Sequence, residues 1–172
     1  MPAIAISLVC AYAFQTAEQC IACHPKEVHA YLASAMGRSV GDPSSQPGGF
    51  VVHALSASHI AIRTRDGVMH HELQEHGLTA EYPIAYAIGA GKVGFSYLVR
   101  NGNFIFQSPV SFYTAGHQWD LTPGYEVEHT LDFDHPILSG CLFCHTDSVK
   151  SIAGTVNQFE PGPLESISCG RC

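Results

Sequence analysis

Residues 95–107 have the sequence FSYLVRNGNFIFQ, in which two largely apolar stretches flank the pair Asn101-Gly102. This dipeptide favours the tight turn of a β-hairpin, because both residues tolerate the positive φ angles that such turns require. On the first stretch, Tyr97 and Val99 share one face by strand alternation. The segment therefore predicts two antiparallel strands joined by a short turn.

A similar hairpin is predicted on the N-terminal side of this segment. Ile60–Thr64 and Val68–Leu73 are strand-like stretches that flank an Asp66-Gly67 pair. Asp-Gly is again a dipeptide typical of tight hairpin turns. The middle of the chain is therefore predicted to be β structure.

Three further elements follow from local signals. Val110–Tyr113 predicts a third strand, and Trp119–Glu126 predicts a turn-rich connection. Before the β region, Pro25 suits the first position of a helix and Gly37 suits its end. Apolar residues follow Pro25 at helical spacing and form a stripe made of Val28, Tyr31, Leu32, Ala35 and Met36.

Two copies of the pattern Cys-x-x-Cys-His occupy residues 20–24 and 141–145. This is the attachment signature of c-type haem, since two thiols at this spacing can form thioethers to one porphyrin. The adjacent histidine then lies under the iron as its proximal ligand. A third Cys-x-x-Cys pair ends the sequence before its histidine. We therefore predict haem c at the two complete motifs and at this third, truncated motif. The attachment residues are Cys20, Cys23, Cys141, Cys144, Cys169 and Cys172, with His24 and His145 as iron ligands.

The composition fits a folded domain that does not bind nucleic acid. Of 172 residues, 46% are hydrophobic and 13% charged, which favours a buried core over disorder. The net charge is −7, with eight Lys and Arg among fifteen acids, so no large basic face is expected. Residues 1–13 are uncharged and apolar and end in a small-x-small pattern, which predicts a signal peptide cut after Ala13. A buried N-terminal strand is the alternative. Because haem is attached covalently outside the cytoplasm, we expect a periplasmic or otherwise exported protein.

Several segments beyond the haem motifs contribute to a family resemblance. They are Tyr31–Ser39, Tyr86–Gly91, Ser96–Leu98, Pro109–Tyr113 and Trp119–Tyr125. Together with the haem motifs they resemble the multihaem c-type cytochrome domains of exported bacterial proteins, which are often followed by tetratricopeptide repeats. The wider group includes small tetrahaem cytochromes that relay electrons in nitrogen metabolism.

The resemblance implies a fold and a function for residues 14–172. The fold would be α+β, with a small antiparallel β-hairpin insertion between haem-binding helix and loop segments and a core organised largely around covalent haems. The chain would be truncated at its third haem motif and would lack a tetratricopeptide or further haem region. The function would be electron transfer between redox partner proteins through the attached haems.

Distal iron ligands are sought among the residues outside the motifs. Related cytochromes carry a histidine in a Ser-x-His-Ala segment, and here Met36 takes that place. His53 lies in an apolar strand context, and both His53 and His129 resemble family positions. For Met36, packing in the apolar stripe is the alternative.

Other functions were weighed against electron transfer. A haem with an open distal side would act as a reductase or peroxidase on nitrite, hydroxylamine or peroxide, although no catalytic residue is assigned. A sensor or assembly module docked on repeats is another alternative. Two alternatives do not involve haem. The first is that a Cys-x-x-Cys pair acts as a thioredoxin-like redox pair. The second is a structural zinc site, although a zinc site does not need the histidine that follows each complete pair. The thiolates of the zinc site would be Cys141, Cys144, Cys169 and Cys172.

Overall fold

The computed structural model describes residues 17–147 and 149–169, apart from the side chain of Glu18. Its body is an eight-stranded antiparallel sheet with the strand order β2-β3-β4-β5-β6-β7-β8, to which β1 adds by pairing with β5. The strands are β1 (Val40–Gly41), β2 (Gly49–His53), β3 (Ser58–Arg65), β4 (Val68–Glu75), β5 (Leu78–Ile88), β6 (Gly94–Asn101), β7 (Phe104–Tyr113) and β8 (Gln118–Leu121). Three short helices flank the sheet: α1 (Ala17–Cys20), α2 (Pro25–Leu32) and α3 (Ser139–His145).

Both predicted hairpins are confirmed. Asp66 (φ 51°) and Gly67 (φ 79°) connect β3 to β4, and both occupy the positive φ region that a two-residue hairpin turn favours. Strands β6 and β7 pair at Asn101 and Phe104, so the turn residues are Gly102 and Asn103, one position later than expected.

Other elements differ from the prediction. Residues 110–113 are the end of the long strand β7 and not a separate strand, and β8 lies where a turn-rich connection was predicted. Strand β5 was missed because Pro83, which lacks a backbone N–H, normally argues against a strand. Here Pro83 pairs with His70, and the register shifts between Ile84 and Tyr86. The predicted helix begins at Pro25 but ends at Leu32, before Gly37.

The two edge strands β2 and β8 approach each other and nearly close the sheet. The indole Nε1 of Trp119 on β8 donates a 2.8 Å hydrogen bond to the carbonyl oxygen of Pro47, just before β2. A Cβ atom at Gly49 would overlap the same indole ring. The ring also contacts Tyr97 and Phe112. Trp119 therefore fills the gap between the two edges.

The main apolar core lies inside this nearly closed sheet. Burial of these side chains supplies most of the favourable free energy of folding, at roughly 25 cal/mol per Å² of apolar surface. The core residues are Val51, Ile60, Ile62, Met69, Leu73, Ile84, Ala87, Tyr97, Val99, Val110, Phe112, Tyr125, Leu131 and Phe133.

A second, smaller core lies on the outer face of β6 and β7. Leu98 and Ile105 point outward because side chains alternate along a strand. They pack with Leu142 of α3 and with Phe159 and Leu164 of the C-terminal segment. Backbone hydrogen bonds attach this segment to β7, from residue 137 to residue 105 and from residue 159 to residue 103. The outer face of the hairpin thereby holds α3 in place.

The predicted fold class is therefore wrong. The body of the chain is a nearly closed antiparallel sheet with an apolar core of its own, and not an α+β domain organised around haems. The error arose because two strong hairpin signals were taken for a small insertion, whereas other strands join them into one sheet.

The family resemblance is corrected as well. A helical multihaem cytochrome does not agree with a body made of antiparallel strands. Within residues 17–147 and 149–169, moreover, no three His, Cys, Asp or Glu side chains come together as a group that could hold a metal ion. The signal peptide predicted at residues 1–13 lies outside the described residues. In the described part of the chain, no helix is long and apolar enough to cross a membrane.

Gly49→Ala tests the closure of the sheet. We expect this variant to lose about 1–3 kcal/mol of unfolding free energy, because a methyl group must displace the packed indole of Trp119. Gly41→Ala is the matched control, since a Cβ at Gly41 meets no atom within 4 Å. Urea unfolding of the two variants measures both effects, and equal stabilities would contradict the described closure.

Candidate functional site

The second Cys-x-x-Cys-His motif lies on helix α3. Cys141, Cys144 and His145 are at positions i, i+3 and i+4, which places them on one face of the helix. All three side chains are exposed, and both thiols are free. Leu142 is only 2% exposed and packs in the second core. This anchoring holds α3 in place while both thiols and the imidazole stay exposed.

A pocket of about 300 Å³ lies beside this face of α3. Its walls are mainly apolar, and Cys141 and His145 both line it. Among the described residues that line the pocket there is no Asp, Glu, Lys or Arg. The other lining residues are Ile88, Ser96, Leu98, Gln107, Pro136, Ile137 and Leu142.

The first motif forms a turn between α1 and α2. The backbone N–H groups of Cys23 and His24 donate to the carbonyl oxygen of Cys20 at 3.2 and 2.8 Å. Cys23 and His24 are exposed, while Cys20 is half-buried. Helix α2 begins directly after this turn and is anchored by Val28, which is 2% exposed. The motif is therefore an accessible helical turn held at the start of an anchored helix.

The flanks of the three cysteine motifs meet on one side of the sheet. Asp147, two residues after the second motif, accepts a 2.8 Å hydrogen bond from the hydroxyl of Ser168, which directly precedes Cys169. The hydroxyl of Ser166 in turn bonds the backbone of Val40, which follows the region of α2. A cavity of about 130 Å³ lies between these segments and is lined by Ala17, Tyr31, Leu32, Gly37, Asp147 and residues 165–168. Cys172 lies outside the described residues.

The residues of the second motif fit a covalently attached haem. Cys141 and Cys144 would hold the porphyrin through thioether bonds, and His145 would ligate its iron. The observations that support the fit are the shared helix face, the free thiols and the apolar pocket that Cys141 and His145 line. Cys20, Cys23 and His24 offer the same donor set in a tighter turn.

The candidate distal ligands lie in different places. Met36 is 44% exposed and lies shortly after α2, near the first motif. His129 is exposed in the connection before α3 and does not line the pocket. His53 is 1% exposed inside the sheet, and its Nδ1 lies 2.7 Å from the Ser56 hydroxyl. Met36 and His129 are therefore exposed, whereas His53 is buried.

The hydrogen bonds around Ser56 determine which atom donates in its contact with His53. Glu75 accepts a hydrogen bond from Ser58, which accepts one from Ser56, so the proton of Ser56 is already used. The 2.7 Å contact then requires that Nδ1 of His53 carries the proton and donates it to Ser56. Nε2 of His53 is left as a buried acceptor without a partner among the described residues. Its burial keeps it away from any porphyrin at the surface.

His71 is a buried histidine whose importance sequence reasoning missed. It is fully buried beside Tyr97 and Trp119, and its Nδ1 lies 2.8 Å from the Ser108 hydroxyl. Burial, together with the smaller effect of the neighbouring charge of His70, lowers the pKa of His71 to about 3. Side chains alternate along a strand, so His71 points to the same side of β4 as the core residues Met69 and Leu73. This alternation is the signal in the sequence that could have predicted its burial.

The four-thiolate zinc alternative includes Cys172, which lies outside the described residues. In the part of the chain that is described, Cys141, Cys144 and Cys169 do not form a metal-binding group, and no cysteines are paired as a disulfide. Comparisons with protein families, with characterised proteins and with solved structures find no match to this chain. Function must therefore be argued from the chemistry of the site.

Replacing His71 tests how its burial affects stability. In unfolded protein this histidine binds a proton below pH 6.5, whereas in the folded protein it stays neutral to about pH 3. Stability must therefore fall as pH decreases through this window, by about 1.4 kcal/mol per pH unit for one such group. We expect the stability advantage of the wild type over His71→Asn to shrink as pH is lowered from 6.5.

Urea unfolding at several pH values measures this difference. His76→Asn is the control, because His76 is exposed and asparagine tolerates its positive φ of 49°. A pH-independent gap between wild type and His71→Asn would show that His71 is not held neutral.

Proposed function

We propose that this chain is an exported electron carrier that binds haem c covalently at its two complete Cys-x-x-Cys-His motifs. The observation that supports it best is the arrangement at α3, where Cys141, Cys144 and His145 share a helix face beside an apolar pocket. The proposal depends on this donor chemistry and not on a family relationship. When bound, haem supplies an iron that changes its charge by one electron.

The residues of the chain would hold the group and set its surroundings. The thiols of each motif anchor the porphyrin, and the adjoining imidazole ligates the iron. Around the second motif, Leu98, Ile137 and Leu142 exclude water from one side of the pocket. A low-dielectric wall of this kind, together with the axial ligands, sets the reduction potential.

The segments that flank the three cysteine motifs lie close together, which favours electron transfer between haems attached at these motifs. The bond from Ser168 to Asp147 ties the segment of Cys169 to the end of the second motif. The bonds from Ser166 to Val40 tie it to the region of the first. Groups attached at these positions would lie on one side of a rigid sheet, accessible to redox partner proteins. Attachment of a third haem at Cys169 and Cys172 stays a prediction from the sequence and is separate from this proposal.

A haem-based reductase or peroxidase is a second candidate function. It is favoured by one observation, namely that two polar side chains, Ser96 and Gln107, line the otherwise apolar pocket of the second motif. Polar groups at such a position can bind a small reactant beside an iron atom.

Haem stoichiometry tests the proposal. In protein matured in a periplasm, we expect a reduced pyridine-haemochrome spectrum to give one haem for each complete motif. Replacing Cys141 and Cys144 together by serine should remove one haem, because both thioether bonds are lost. Replacing Cys20 and Cys23 should remove the other. Ser139→Ala, an exposed change on α3, should leave the haem content unchanged. Full-length, folded wild type without any haem would refute the proposal.

Met36 gives a separate spectroscopic prediction. If its thioether ligates the haem of the first motif, the oxidised protein shows the near-infrared band of sulfur-ligated ferric haem, and Met36→Ala abolishes it. Met69→Leu is the control, because Met69 is 1% exposed in the main core and should not affect the band. A wild-type spectrum without this band would exclude Met36 as a ligand.

A further inference from the structure

A chain of hydroxyl groups leads from the pocket of the second motif into the sheet. Ser96, which lines the pocket, has its Oγ 3.3 Å from the Oγ of Ser111. The Oγ of Ser111 lies 2.8 Å from Oγ1 of Thr122. Thr122 donates its own proton to the carbonyl oxygen of Ser108 at 3.0 Å. Ser111, Thr122 and Ser108 are buried, so solvent does not replace these partners.

The carbonyl at the end of the chain determines the direction of every bond in it. A carbonyl oxygen only accepts, so the single proton of Thr122 is used there, and Thr122 must accept the proton of Ser111. Ser111 must in turn accept the proton of Ser96. The hydroxyl of Ser96 therefore has no proton left for the pocket, and only its lone pairs remain for a molecule bound there.

We propose that Ser96 makes the pocket of the second motif selective for small neutral molecules that donate hydrogen bonds, such as water, ammonia or hydroxylamine, over anions. This rests on the proposed function, because the molecule would bind beside the haem held by Cys141 and Cys144. Ser96 is the specificity-determining residue, and Ser111 and Thr122 are positioning residues that act through it.

An anion in the pocket needs a hydrogen-bond donor, so its binding would require the hydrogen bonds between these hydroxyl groups to change direction. If Ser96 turned its proton to the pocket, Ser111 would have to donate to Ser96, and its 2.8 Å contact with Thr122 would lose its proton. Losing one buried hydrogen bond corresponds to a loss in affinity of up to about tenfold. Among the described residues that line the pocket there is also no Lys or Arg to attract an anion.

Ligand titration of the haem-loaded full chain tests the inference. Ammonia, at an alkaline pH where it is neutral, is the donor probe, and azide is the anionic probe. Both are followed by the absorption spectrum of the oxidised haem. We expect Ser96→Ala to weaken ammonia binding about tenfold without weakening azide, because only ammonia donates to Ser96.

A second variant tests whether the direction of the hydrogen bonds, and not only the packing of the Ser96 side chain, determines which molecule binds. Ser111→Ala removes the acceptor of the Ser96 proton, which frees that proton for the pocket. Azide binding should then strengthen, while ammonia still finds the lone pairs of Ser96. Ser139→Ala, the same type of change outside the hydroxyl chain, should leave both affinities unchanged.

The remaining outcomes are separable. Absence of haem at Cys141 and Cys144 would refute the proposed function itself. Haem that is present but gives no spectral change with either probe would overturn the inference alone. Equal weakening of both probes by Ser96→Ala, or weaker azide binding in Ser111→Ala, would also overturn it.

Discussion

The β6–β7 hairpin buries apolar side chains on both of its faces, and the remainder of the structure depends on this. Inward, Tyr97 and Val99 join the main core within the sheet. Outward, Leu98 and Ile105 form the second core with Leu142 of helix α3. A one-residue slip of this strand pair is unfavourable, because it would place side chains of the wrong size and shape in both closely packed cores. The hairpin therefore fixes both the register of the sheet and the position of α3.

The candidate site is a consequence of this double burial. Because Leu142 is held against the outer face, its helix neighbours Cys141 and His145 line a pocket whose wall includes Leu98 of the same hairpin. Ser96 lies on that outer face beside Leu98, and its hydroxyl continues into the buried chain with Ser111. The attachment residues on α3 and the polar wall of the pocket on β6 thus come from two segments about a quarter of the chain apart, which the second core brings together.

Sequence reasoning found the parts of this arrangement that are local. Turn dipeptides located both central hairpins, and cysteine spacing located both motifs. It missed strand β5, where Pro83 and a register shift interrupt the usual pattern, and β8, which is only four residues long. It also took the hairpins for an insertion, because nothing local indicates that other strands join them. The pocket walls and the burial of His53 arise from tertiary packing, which motif spacing does not encode.

The central claim is that the motif thiols carry haem, and peptide mapping by mass spectrometry tests it most directly. Trypsin digestion of protein matured in a periplasm should release a peptide ending at Lys26 and a peptide spanning residues 101–150. The account predicts that each carries the added mass of one haem on its Cys-x-x-Cys pair. Bare peptide masses at both positions, in folded protein from haem-competent cells, would contradict it.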